Sequence, residues 1–221
     1  MIMKYLFISM NILLEYIKNL NEKNDLKHLY EKIISYDNMH VIPAVRYESA
    51  LLLNLLASLK NPSITLEIGF GSGASSVFIS NGIRSGRIIS LERDKNRFKR
   101  GLKLLSELNI NNIELLNIDA FDFFPKNNKS FDFIFLDSVK REYINYIQPV
   151  KQIMNNDGLL VCDNILFNGK IVDLQPEKKY KNGIELLREF NKTLSEDHEF
   201  ETLFLPIDDG LSLSRYKKRN L

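Results

Sequence analysis

The 221-residue chain contains no tryptophan, a single cysteine and only three histidines. One cysteine, Cys162, leaves no internal disulfide framework, so a reducing, cytoplasmic setting is the simpler expectation. His28, His40 and His198 are scattered and share no ligand spacing with Cys162, which argues against a zinc site. An excess of one charge is also missing. The net charge of +2 is too small to imply a polyanionic partner. No run reaches the roughly 18 apolar residues that a membrane span requires. The apolar opening, MIMKYLFISMNILLEYIKN, is broken by Glu15 and Lys18 and is followed by no small-residue cleavage site. It is expected to be an amphipathic helix rather than a secretion signal, with no membrane as partner.

What is present suits one globular unit: 44% apolar and 26% charged residues. A single domain, 1–221, is expected, with a helical cap over 1–60 and an α/β core over 61–221. Helical spacing of apolar residues marks 10–20, 25–36 and 43–60, the last opened by Pro43. The period then changes. Short apolar runs predict strands at 63–68, 87–92, 113–118, 131–136 and 158–163, and helices at 73–82, 94–108 and 140–155 separate most of them. Alternation of this kind implies parallel pairing with helices on both faces. After a helix at 181–195, runs at 200–205 and 211–216 are joined by Pro206-Ile-Asp-Asp-Gly210, a connection short enough to require antiparallel neighbours. The expected fold is α/β: a Rossmann-like, doubly wound sheet of seven strands, mostly parallel, with a C-terminal antiparallel hairpin and added N-terminal helices.

In such a sheet ligands bind at the carboxyl ends of the strands. The first strand runs into Glu67-Ile-Gly69-Phe-Gly71-Ser-Gly73-Ala-Ser75, where glycines permit tight turning and close approach of a ligand. The spacing is not GxGxxG, and no lysine follows to grip a phosphate. The second strand ends at Glu92, suitably placed to accept hydrogen bonds from ribose hydroxyls. Together they point to an adenosine-containing cofactor. Asp119, after the third strand, suits either an adenine amino group or the cap of a helix beginning at Ala120.

The fourth strand ends at Asp137 with Lys140 three residues on, and the fifth ends at Asp163-Asn164. Neighbouring parallel strands lie ~5 Å apart, so two carboxylates and a carboxamide can meet at one point. That hard-oxygen set suits Mg²⁺, Mn²⁺ or Ca²⁺. Arg93, Lys95, Arg97, Lys99, Arg100 and Lys103 crowd one expected helix, a pattern shared by solvated faces and nucleic-acid contacts.

From about His40 to Lys218 the chain resembles the cation-dependent O-methyltransferases, the family of the catechol and caffeoyl-coenzyme A enzymes. The resemblance is carried by LEIGFGSGASS, ISLERD, FIFLDSVKREY, DGLLVCDNILFNGKI and LPIDDGLSLS. Within a bacterial branch, DNILFNGKI, the PEKKYK stretch and the closing hairpin are most similar to the tRNA 5-hydroxyuridine methyltransferases, which act on the wobble uridine. The resemblance implies S-adenosylmethionine as cofactor and Val41, Glu67, Gly69, Gly71, Ser75, Glu92, Asp119, Ala120 and Asp137 as the residues around it. It implies Asp137, Asp163 and Asn164 as metal ligands and Lys140 as catalytic base. It also implies a homodimer. The acceptor would be an acidic hydroxyl, in tRNA or on a small phenolic molecule. The chain departs from many relatives in having Ile118 where they have glycine, and in lacking the tryptophan that walls the acceptor in several small-molecule members. Either Phe167 or Tyr143 substitutes, or the acceptor differs from theirs. The competing readings are an NAD-dependent oxidoreductase on a similar sheet and a non-catalytic RNA-binding module.

Overall fold

In the computed structural model, residues 2–36 and 44–218 are described, with side chains described from residue 12 onward. Seven strands form one sheet: β1 (Ile64–Ile68), β2 (Arg87–Leu91), β3 (Ile113–Leu116), β4 (Phe131–Leu136), β5 (Met154–Asp163), β6 (Phe200–Leu205) and β7 (Leu211–Tyr216). Their order is β3-β2-β1-β4-β5-β7-β6. β1 to β5 pair in parallel, and β7 runs antiparallel to both β5 and β6. The expected sheet and hairpin are both present.

From Phe133 onward period-two alternation assigns the residues of β4 to two apolar layers, and Phe131, ahead of the register shift, joins the Ile134 layer out of phase. Phe131, Ile134 and Leu136 of β4 pack on one side with residues of α7 (Tyr143–Ile153) and α8 (Lys178–Glu196). Phe133 and Phe135 pack on the other with α2 (Leu26–Ser35), α3 (Tyr47–Lys60), α4 (Ala74–Gly82) and α5 (Lys95–Glu107). A first helix, α1 (Ile2–Asn21), precedes these, and a short α6 (Ala120–Phe123) follows β3.

Among the boundaries that differ from expectation, three bear on the sheet and the site. β5 begins at Met154 rather than 158, because Met154 pairs with Phe131 and a register shift intervenes before Phe133 meets Leu159. α7 begins at Tyr143, after a 3-10 turn over Lys140–Glu142. The third helix starts at Tyr47, after extended Arg46 at ψ 163°. Pro43 and Val41 lie outside the described residues.

The chain winds outward from β1 through β2 to β3, then returns to lay β4 on the other side of β1. The topological switch point therefore lies between β1 and β4, where a doubly wound sheet opens its ligand crevice.

Candidate active site

A cavity of about 840 Å³ opens at the carboxyl edge of the sheet. Its walls include Gly69, Gly71, Glu92, Asp119, Ala120, Asp137, Lys140, Asp163 and Asn164, which nearly completes the expected set.

The turn after β1 places Gly69, Gly71 and Gly73 at φ of 102°, 53° and 89°, in the left-handed region that favours glycine. At Gly69 there is no room either: a Cβ would sit 2.0 Å from the Asp137 carbonyl oxygen. Below the turn, Glu67 is fully buried, and its carboxylate accepts hydroxyl protons from Ser75 at 2.5 Å and from Ser76 and Ser90. Burial pushes its carboxyl up to about 7, while the serine bonds oppose the rise. Glu67 and Ser75 thus bond to each other beneath the loop and do not line the cavity.

Glu92 does line it, 5% exposed. Its two oxygens accept the N–H groups of Gly71 at 3.1 Å and Asp94 at 2.8 Å, tying the glycine turn to the end of β2. Asp119 caps α6 by accepting the Phe121 N–H at 2.9 Å, so the capping role read from its sequence position is realised in a residue that also faces the cavity. Its other oxygen meets Arg93 at 3.2 Å, and Arg93 also reaches Glu142 at 3.3 Å. Tyr146 stacks on Phe121 with ring centroids 4.7 Å apart and lines the wall beside Ala120 and Ile118.

At the neighbouring ends of β4 and β5 the ammonium group of Lys140 donates to Asp137 Oδ1 at 2.7 Å, the Ser138 carbonyl at 3.1 Å and the Tyr143 hydroxyl at 3.1 Å. Asp163, 3% exposed, accepts the Asn164 N–H at 2.7 Å. Burial, and then the neighbouring Asp137 carboxylate, push the Asp163 carboxyl up to about 7, against the pull of Lys140. Among the described residues no three His, Cys, Asp or Glu side chains gather as a metal-binding group. The candidate set holds two carboxylates and relies on the Asn164 amide for its third oxygen.

Of the two aromatic residues expected to wall the acceptor, Phe167 lines the cavity and Tyr143 does not. Tyr143 is fully buried under Phe190, with ring centroids 5.2 Å apart.

Sequence reasoning missed Arg46, Tyr146, Asp208 and Asp209, all of which line the cavity. The aspartates had a readable signal. A hairpin whose second strand runs antiparallel beside β5 must place its turn at the carboxyl edge, next to Asp163. Asp208 then reaches further. It accepts the Ser49 N–H at 3.1 Å and the Ser49 hydroxyl, capping the first turn of α3.

The family described as O-methyltransferase matches residues 17–217, a span that includes every strand and all the site residues above. The chain belongs to the O-methyltransferase family. It is 30% identical over 175 residues to caffeoyl-CoA O-methyltransferase 5 of Nicotiana tabacum, covering 74% of this chain and 72% of that one. It is 31% identical over 180 residues to caffeoyl-CoA O-methyltransferase 1 of Zea mays, covering 75% and 69%. In fold it resembles the Bacillus cereus O-methyltransferase in complex with SAH, with a TM-score of 0.80, 20% identity, and 92% and 96% of the two chains covered. The O-methyltransferase TomG of Streptomyces achromogenes, in complex with SAM, gives 0.78 at 21% identity, with 94% and 96% covered. As a member of the O-methyltransferase family the chain is an enzyme of methyl transfer, which displaces the nicotinamide and non-catalytic alternatives.

Proposed function

We propose that this O-methyltransferase moves the methyl group of S-adenosylmethionine to an acidic hydroxyl, with a divalent cation (Mg²⁺, or Mn²⁺ or Ca²⁺) held by Asp137, Asp163 and Asn164 and with Lys140 as base. One observation carries the reading: the glycine turn, the Glu92 and Asp119 carboxylates, and the Asp137–Lys140–Asp163–Asn164 group all open into one cavity. The cofactor's ribose fits Glu92, whose oxygens keep accepting capacity beyond their two backbone donors. Its approach fits the bare backbone of Gly69 and Gly71. Glu67 and Ser75 act indirectly, by fixing the turn from below. The expected placing of Val41 over the cofactor is retained as part of the proposal.

A divalent cation fits the ends of β4 and β5 because two carboxylates and an amide oxygen form a hard-donor set, and one of those carboxylates is buried beside the other. When bound, such an ion would lower the pKa of the acceptor hydroxyl and hold its oxygen. Lys140, after its ammonium group has released a proton to solvent, takes the proton from that hydroxyl as a neutral amine, and the cavity walls align oxygen, methyl carbon and sulfur for in-line displacement.

For the acceptor we favour 5-hydroxyuridine in tRNA. Support comes from a basic aromatic lip beside Phe167: Lys170 and Lys179 lie 3.6 and 4.7 Å from the centre of the Tyr180 ring, and that ring packs on Phe167 at 6.1 Å. A small phenolic or hydroxycinnamoyl acceptor is the second reading, favoured by the caffeoyl-CoA relatives. Ile12, Leu13, Ile17 and Leu20 of α1 are about half exposed or more, which supports a homodimer that buries them. The buried free Cys162 supports a cytoplasmic setting, and no described helix is long and apolar enough to cross a membrane. We read residues 1–221 as one catalytic unit.

The test is incubation with methyl-labelled cofactor and Mg²⁺ against unmethylated bulk tRNA and a catechol and hydroxycinnamoyl panel. Label in tRNA, abolished by chelator and restored by Mg²⁺, supports the first reading. Label only in the phenols transfers the assignment to the second. Full activity in excess chelator removes the cation.

A further inference from the structure

Tyr143 carries a hydroxyl into the interior, at a point where packing alone would be served by phenylalanine. Its ring is fully buried against Phe190, and burial pushes its phenol well above the ordinary range, so it stays a neutral donor. The oxygen lies 3.2 Å from the Leu136 carbonyl, 3.1 Å from the Asp163 carbonyl and 3.1 Å from Lys140 Nζ. One phenolic proton is thus shared between two carbonyls while the oxygen accepts from the ammonium group.

The location gives these contacts their meaning. The β4–β5 ladder ends with Leu136 opposite Cys162. Beyond it no further β4–β5 pair forms, while each strand keeps its other neighbour: the Asp137 N–H donates to the Ile68 carbonyl of β1 at 3.0 Å, and Asp163 pairs with Leu211 of β7. Asp137 and Asp163 are the first residues past the shared ladder, where no backbone pair joins the two strands. Tyr143 supplies a tie there, in the second layer behind the site.

We propose that Tyr143 is a positioning residue whose hydroxyl stitches the ends of β4 and β5 together and seats Lys140, so that Asp137, Asp163 and Lys140 keep one spacing. The inference rests on the roles given above to Lys140 and Asp163. Tyr143 touches neither cofactor nor acceptor; it acts through the three residues it holds.

The experiment compares Tyr143→Phe, Phe190→Leu and Lys140→Ala in the full chain. Melting temperature, S-adenosylmethionine affinity by calorimetry and Mn²⁺ affinity by electron paramagnetic resonance need no acceptor; kcat and KM use whichever acceptor takes the label. Tyr143→Phe is expected to fold and to bind the cofactor within about twofold of wild type. Its Mn²⁺ affinity and kcat should each fall about tenfold, the lower end of what removing a supporting bond behind a metal site costs, with the cofactor KM unchanged. Phe190→Leu is expected to lower the melting temperature while keeping kcat within about twofold, since a packing loss leaves the hydroxyl in place. Wild-type kcat and Mn²⁺ affinity in Tyr143→Phe, with Lys140→Ala inactive, would overturn the positioning role and leave the proposed chemistry standing. Equal losses of kcat in Tyr143→Phe and Phe190→Leu would reduce Tyr143 to packing. Full turnover in Lys140→Ala would remove the base, and the inference with it.

Discussion

Two turns at the same edge of the sheet solve the same backbone problem differently. After β1, every left-handed position is a glycine: 69, 71 and 73. After β5, the left-handed positions are Asn164, Phe167 and Asn168, and only then Gly169. Asparagine tolerates that region through its short polar side chain, but a bulky aromatic in it is an outlier costing of order 1 kcal/mol or more. The first turn gives up side chains to make room. The second keeps them and accepts strain, and Asn164 and Phe167 both line the cavity, where the proposed reading gives their side chains a role. In the proposed reading, binding and chemistry thereby fall to different turns of one cleft.

The sharpest attempt to break this division removes a group from the chemical end. Asp163→Ala is expected to abolish cation-dependent turnover, a loss beyond ~10³-fold, while calorimetry finds cofactor affinity within about threefold of wild type. A parallel collapse of cofactor binding would mean that the two ends are not separable. Next comes the glycine turn itself. Gly69→Ala must both strain a φ of 102° and push a methyl into the Asp137 carbonyl 2.0 Å away, so chemical denaturation should reveal a loss of roughly 3 kcal/mol or more. Cofactor binding should fail in the same variant.

Glu92→Ala tests the binding end by chemistry rather than space. It removes the acceptor of the Gly71 and Asp94 N–H groups along with the proposed ribose partner, and should weaken cofactor affinity about tenfold with kcat at saturation little changed. Unchanged affinity would withdraw the ribose assignment. The smallest effect belongs to Gly169→Ala. A Cβ there meets nothing within 4 Å, so only its φ of 76° resists, and the denaturation midpoint should fall by the equivalent of about 1 kcal/mol with activity retained. The contrast between the two alanines isolates crowding from backbone conformation.

The strand-and-helix order was legible because hydrophobic period and turn residues agreed along most of the chain, from Ile64 to Tyr216. β5 was misjudged at its start because the irregularity between Phe131 and Phe133 depends on a partner strand, and no local pattern announces it. The strand-end residues Asp137, Lys140, Asp163 and Asn164 were readable since parallel topology sends all such ends to one edge. Glu67 was placed beside the correct loop, yet its carboxylate is consumed by serines 8, 9 and 23 residues away, a fact of three-dimensional packing. Tyr143 looked like a wall residue because a motif shows neighbours in sequence and says nothing of burial. Asp208 and Asp209 lie within LPIDDGLSLS, and their place in the cavity wall follows from where the hairpin's turn must fall, which a motif alone does not show.

The Asp208–Ser49 contact has a consequence for how the protein comes into being. Its partners are 159 positions apart, and through it the last hairpin completes the first turn of α3. During synthesis α3 emerges early but lacks that cap until almost the whole chain has left the ribosome. The part of the cavity wall that Asp208 and Asp209 supply is accordingly among the last parts of the molecule to be finished, and a nascent chain would carry the glycine turn before that wall exists.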